Sequence, residues 1–150
     1  MPRRQERIRT SLWRAEDLGG AELLRGSFTG YAYDLHVHET ACFALITRGG
    51  IRIRARGTEL VARRGDLFAV DADEPHAGWP VDEAGWTLRT LYVDLGRLRD
   101  LLGEDGAPAG AASIRGPVLR DPDLAALLHG VHRCSETGGP ALKRGERFIG

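Results

Sequence analysis

The chain has 150 residues, 42% of them hydrophobic and 28% charged, and its 21 basic and 21 acidic side chains cancel to a formal net charge of zero. That size and mix suit a single globular domain with a buried core, and zero net charge leaves no global attraction to nucleic acid or an anionic membrane. Two cysteines, Cys42 and Cys134, are too few for a disulfide framework and form no CxxC pattern. No stretch reaches the ~20 apolar residues of a membrane helix. The arginine-rich start has no apolar segment behind it to make a signal peptide, so a reducing cytoplasm is the expected location. Twenty of the basic residues are arginine and only Lys143 is lysine, a bias that GC-rich coding explains more simply than anion recognition does.

Residues 1–20 are polar, with Ile8, Leu12, Trp13 and Leu18 as isolated apolar anchors. They read as an arm or short edge segments, and disorder is expected for so charged a terminus. From about residue 22 to residue 95 the chain alternates strands and tight turns. Ile51-Arg52-Ile53-Arg54-Ala55-Arg56 alternates apolar and charged side chains, the period of a half-buried strand. Arg56-Gly57-Thr58 is a turn signal before a strand at 59–62, and Arg63-Arg64-Gly65-Asp66 is a second one before Leu67-Phe68-Ala69-Val70. Cys42 lies in an apolar run and reads as a small buried hydrophobe. Short strands at regular spacing predict a sandwich or barrel over 21–95.

A strand at 86–94 follows. Its alternation puts Trp86, Leu88, Thr90 and Tyr92 on one face and Thr87, Arg89, Leu91 and Val93 on the other. The character then changes to helical over 96–150. Leu98, Leu101 and Leu102 have helical spacing, and 104–113 is a Gly/Ala/Pro-rich loop. Asp121-Pro122 is a helix-start signal, and the helix it opens, at 121–135, carries Leu124, Leu127, Leu128 and Val131 as one apolar stripe. Packing on the barrel accounts for that stripe, and His129 and His132 read as surface residues. The last ten residues look like the opening of another helix.

The residues with chemistry are histidines. His36 and His38 are two apart, so on a regular strand both imidazoles share a face with Ala32 and Asp34, while Tyr33, Leu35 and Val37 point away. His76 follows the turn Asp71-Ala72-Asp73-Glu74-Pro75. Three imidazoles meeting at a barrel mouth can ligate a divalent metal. They can equally hydrogen-bond a polar organic ligand, since a neutral imidazole both donates and accepts.

The order of these features resembles the two-motif layout of the cupin superfamily. More closely, it resembles the N-terminal effector-binding and dimerisation domain of AraC-type transcription regulators. The resemblance rests on His36-Val37-His38-Glu39, on Ile46-Thr47-Arg48-Gly49-Gly50, and on the runs at 63–78 and 85–94. It implies a mainly β, cupin-like double-stranded β-helix (jelly-roll) barrel followed by C-terminal α-helices. It also implies a small-molecule effector held by His36, His38, His76, Trp86, Leu88, Thr90 and Tyr92. By its own position Trp79, in the expected loop after His76, either covers the mouth or packs on the barrel rim. The partners the resemblance implies are a second copy, paired through the C-terminal helices, and DNA contacted only through a helix-turn-helix half that these 150 residues do not contain. The chain stops inside an apparent helix, which reads as a fragment of a longer regulator.

One departure bears on catalysis. Metal-dependent cupins usually carry a glutamate four residues after the second histidine, where this chain has Cys42; Glu39 should face the other side of its strand. The expectation is therefore a non-enzyme with no required cofactor. A divalent metal (Zn, Ni or Fe) at His36, His38 and His76 is the open option, and a stand-alone dioxygenase or isomerase is the alternative reading.

Overall fold

The computed structural model describes residues 6–97 and 117–138. It contains nine strands among these residues: β1 (Arg7–Ala15), β2 (Ala21–Thr29), β3 (Tyr33–His36), β4 (Ala41–Ala55), β5 (Thr58–Arg63), β6 (Leu67–Val70), β7 (His76–Pro80), β8 (Trp86–Val93) and β9 (Val118–Leu119). One long helix, α1 (Pro122–Gly138), follows. The segment 95–97 is helical, but the rest of the helix expected at 96–103, the loop at 104–113 and the terminal segment lie outside the described residues.

Every strand pairing is antiparallel. One layer runs β1-β2-β8-β4-β6-β9 and the other runs β3-β7-β4-β5, so the 15-residue β4 belongs to both. The first half of β4 pairs with β8 and β6, and the second half with β5 and β7. The crossing lies at Arg48-Gly49-Gly50, where the register against β8 slips by one residue between Ile46 and Arg48, the mark of a bulge that bends a strand. Gly49 has φ +74°, and a Cβ there would strike the carbonyl oxygen of Gly85. Only glycine meets both demands.

Between the layers lies the main core: Leu24, Cys42, Ala44, Ile46, Ile51, Ile53, Phe68, Val70, Trp86 and Leu88. On β2 the consecutive residues Leu23 and Leu24 are both fully buried, which requires cover on both faces of that sheet. The outer cover is shared: Trp13 and Ala15 of β1 pack on Leu23, and Ala125 and Leu128 of α1 pack on Leu45 and Leu67 of β4 and β6.

Three expectations need correction here. Residues 7–15 are not disordered: β1 pairs with β2 along its whole length, from Arg7 opposite Thr29 to Ala15 opposite Ala21, and Trp13 and Ala15 are buried against Leu23. The isolated anchors are thus the apolar residues of an edge strand. On α1 the buried stripe is Ala125, Leu128 and His132, while Leu124, Leu127 and Val131 are 38%, 64% and 37% exposed. The helix is rotated because His132 has polar partners on the sheet and leucine has none. His132 is accordingly fully buried rather than a surface residue. Among the described residues no helix is long and apolar enough to cross a membrane.

Candidate functional site

The mouth of the barrel is built by β3, β7 and the ends of β2 and β8. Tyr33 stands opposite Gly78 and His36 opposite His76, so three steps on β3 match two on β7. That extra residue inverts the alternation: Tyr33 turns into the barrel with His36, and Asp34 and Leu35 are exposed. The face expected for Ala32, Asp34 and His36 is corrected accordingly. Gly78 makes room for Tyr33, since a Cβ there would meet the phenol ring at 2.5 Å.

His36, His38 and His76 converge. Their ring centroids lie 4.2 Å apart for His36–His76, 4.7 Å for His36–His38 and 5.0 Å for His38–His76. One ring nitrogen from each falls within 4.8 Å of the others. His36 Nδ1 donates to the Asp34 carbonyl at 2.8 Å, and His76 Nδ1 donates to the Glu74 carbonyl at 2.9 Å. A carbonyl only accepts, so whenever these rings are neutral Nε2 keeps its lone pair. His36 Nε2 is 3.1 Å from His38 Nε2, so without an ion His38 supplies the proton between them.

Burial is the largest cause that lowers the His38 pKa, to about 4, and the neighbouring His76 and His36 lower it further. His76 is also lowered by burial, partly offset by its bond to the Glu74 carbonyl. Neutral rings with two preset lone pairs fit a divalent cation, in the manner of metal-bound histidines oriented by carbonyl acceptors. No carboxylate or thiol joins the cluster among the described residues. Cys42 lines the same cavity, where burial pushes its thiol up to about 12.

Behind the trio the wall is aromatic. Phe28 stacks on Trp86 at 5.0 Å and 17°, Tyr33 meets His36 edge-on at 5.0 Å, and Tyr92 lies 5.4 Å from His38. Leu88 and Thr90 complete the β8 side, so all seven residues expected at the site from the sequence line one cavity. Sequence reasoning missed Leu24, Phe28, Tyr31, Tyr33, Cys42 and Phe68 as lining residues. The Tyr31-Ala32-Tyr33 alternation beside the histidines was the available signal. Trp79 is on β7, three residues from His76, and does not line the cavity. Glu39 is exposed, as its position predicts.

The cavity is partly open to solvent, and its water-accessible volume is about 40 Å³, where one water needs about 10–15 Å³ on a comparable measure. No Asp, Glu, Lys or Arg lines it. Burial raises the tyrosines at positions 33 and 92, so their phenols stay neutral. Trp86 Nε1 is buried and has no hydrogen-bond partner among the described residues.

A two-layered antiparallel barrel with a histidine-bearing, aromatic-walled cavity defines a cupin-like domain. Solved structures agree on the fold. A cupin superfamily protein of Desulfitobacterium hafniense superposes with TM-score 0.52 at 15% identity, over 63% of this chain and 84% of that one. A protein of unknown function from Streptococcus pyogenes gives 0.51 at 17%, over 61% and 77%. A variant of Bacillus subtilis oxalate decarboxylase gives 0.50 at 19%, over 61% of this chain and 26% of that larger one. No curated protein sequence matches significantly. The family model of the AraC-like ligand binding domain matches residues 18–148, and the chain belongs to that family.

Proposed function

We propose that this domain senses a small-molecule effector for a transcription regulator, with DNA bound by a helix-turn-helix half outside these residues. The observation that carries the reading is the convergence of three imidazoles, Trp86 and Thr90 on one cavity, in a domain of the AraC-like ligand-binding family. His36, His38, His76 and Trp86 hydrogen-bond the effector, and Leu88, Thr90 and Tyr92 shape its seat. The exposed Leu124, Leu127 and Val131 of α1 supply a helical seam for pairing two copies. The intact regulator works in the cytoplasm.

A divalent metal (Zn, Ni or Fe) fits the donor set and would be held by Nε2 of His36, His38 and His76. When bound it would supply a positive charge and open coordination positions for an oxygen ligand. The histidine geometry also supports a second reading, a metal-dependent dioxygenase or isomerase, against which Cys42 stands at the usual glutamate position.

The test is a thermal-shift screen of sugars, aromatic acids and amides, followed by calorimetry on Trp86→Phe and His76→Ala. A compound bound without turnover, at least about tenfold weaker in both variants, supports sensing. Turnover lost with the metal would favour the enzyme.

A further inference from the structure

On the sheet face opposite the cavity, His132 of α1 has a fully determined set of partners. Arg89 Nη1 is 2.9 Å from His132 Nδ1, and a guanidinium can only donate, so Nδ1 accepts. The ring proton is therefore on Nε2, which donates to the carbonyls of Leu24 at 3.0 Å and Thr90 at 3.1 Å. These two residues stand opposite each other in the β2–β8 register, and the side chains of both line the effector cavity.

Around this ring the contacts continue. Glu136, one turn further along α1, accepts from Arg89 at 3.2 Å and pairs with Arg25 of β2 at 3.3 Å. Trp13 of β1 packs edge-on to His132 at 4.9 Å and donates to Ser135 at 3.0 Å. A neutral histidine, an arginine and a glutamate, largely withdrawn from water, are costly unless all are satisfied. Packing alone would be served by leucine at position 132.

We infer that His132 is a positioning residue for the effector cavity: from behind the sheet it fixes the backbone of Leu24 and Thr90, tying cavity shape to the seating of α1. The inference rests on the sensing reading for its purpose. A ligand pressing on Thr90 or Leu24 shifts two carbonyls that share one N–H, and that N–H belongs to the helix bearing the exposed Leu124, Leu127 and Val131. Coupling is reciprocal, so disturbing the helix must loosen the cavity, and no effector is needed to see it.

The experiment uses Cys42, which lines the cavity, as the reporter thiol in a Cys134→Ser background. Iodoacetamide alkylation is measured together with hydrogen exchange for His132→Leu and His132→Gln. His132→Leu is expected to speed Cys42 alkylation about tenfold or more and to raise exchange in α1, β2 and β8 while β5 stays protected. His132→Gln keeps an amide donor and acceptor and is expected to restore most of the difference. Faster exchange in α1 with unchanged Cys42 alkylation would overturn the inference, as would an equal rise in β5, which means global destabilisation.

If His132→Leu does not fold, Glu136→Gln releases Arg25 and Arg89 with the imidazole in place. The same pattern is expected at smaller amplitude, with the same two overturning results. An effector screen that fails leaves these measurements standing. A failure here leaves effector binding untouched.

Discussion

His36 Nε2 stands 3.1 Å from His38 Nε2, and the other nitrogen of His36 is committed to the Asp34 carbonyl. One proton lies between the two rings, and once it moves to His38 Nδ1 a cation at this point takes both Nε2 lone pairs. Purified protein is therefore expected to bind one Ni²⁺ or Zn²⁺ per chain in calorimetry. His76→Ala should weaken that binding by at least about a hundredfold, as loss of one of three ligands implies. Equal affinity in the variant would show that the trio is not the site.

Trp86 Nε1 is buried without a partner among the described residues, and an unpaired buried donor costs about 1–3 kcal/mol. Trp86→Phe removes that donor but also some core volume, and the two effects oppose each other. Urea denaturation is expected to show a net change within about 1 kcal/mol, whereas full truncation of a buried aromatic to alanine costs ~3–5 kcal/mol. A loss above about 3 kcal/mol would mean that the indole N–H is satisfied.

Burial, and then the charge of Arg89, lower the pKa of His132 to about 4. The unfolded chain binds this proton more readily, near the ordinary value of about 6.5, so acid favours unfolding. The contribution is complete above about pH 6.5 and is lost as pH falls toward about 4, with a span of about 3 kcal/mol. His132→Gln should make this limb of the stability–pH curve, to which the lowered His38 and His76 also contribute, shallower in chemical denaturation. A variant with the same slope would place the titration elsewhere.

Neighbouring leucines of α1 should behave oppositely. Leu128 is 8% exposed and packs on Leu45 and Leu67, whereas Leu127 is 64% exposed. Leu128→Ala is expected to cost about 2–5 kcal/mol. Leu127→Lys should change unfolding stability by less than about 0.5 kcal/mol and shift sedimentation from dimer toward monomer. An unchanged sedimentation profile would remove α1 as the pairing surface.

Local pattern alone was enough for much of the barrel. The period-two run Ile51 to Ala55, the turns at Arg56-Gly57 and Gly65-Asp66, and the alternation from Trp86 to Tyr92 all correspond to elements of the structure. The same alternation placed Trp86, Leu88, Thr90 and Tyr92 on one face, and they do line one cavity. Periodicity suffices there because β8 is central and regular from Trp86 to Tyr92 in its pairing with β2.

Tertiary structure decided what periodicity cannot carry. The extra residue on β3 reverses the faces of Tyr33 and Asp34, and it exists only because β3 must match β7 across the mouth. The charged N-terminal segment becomes β1 because β2 offers it a complete ladder of partners, a gain no composition rule registers. On α1 the leucine stripe predicted the wrong buried face. Which side of a helix is buried depends on what it meets, and here Arg89 and two strand carbonyls meet His132.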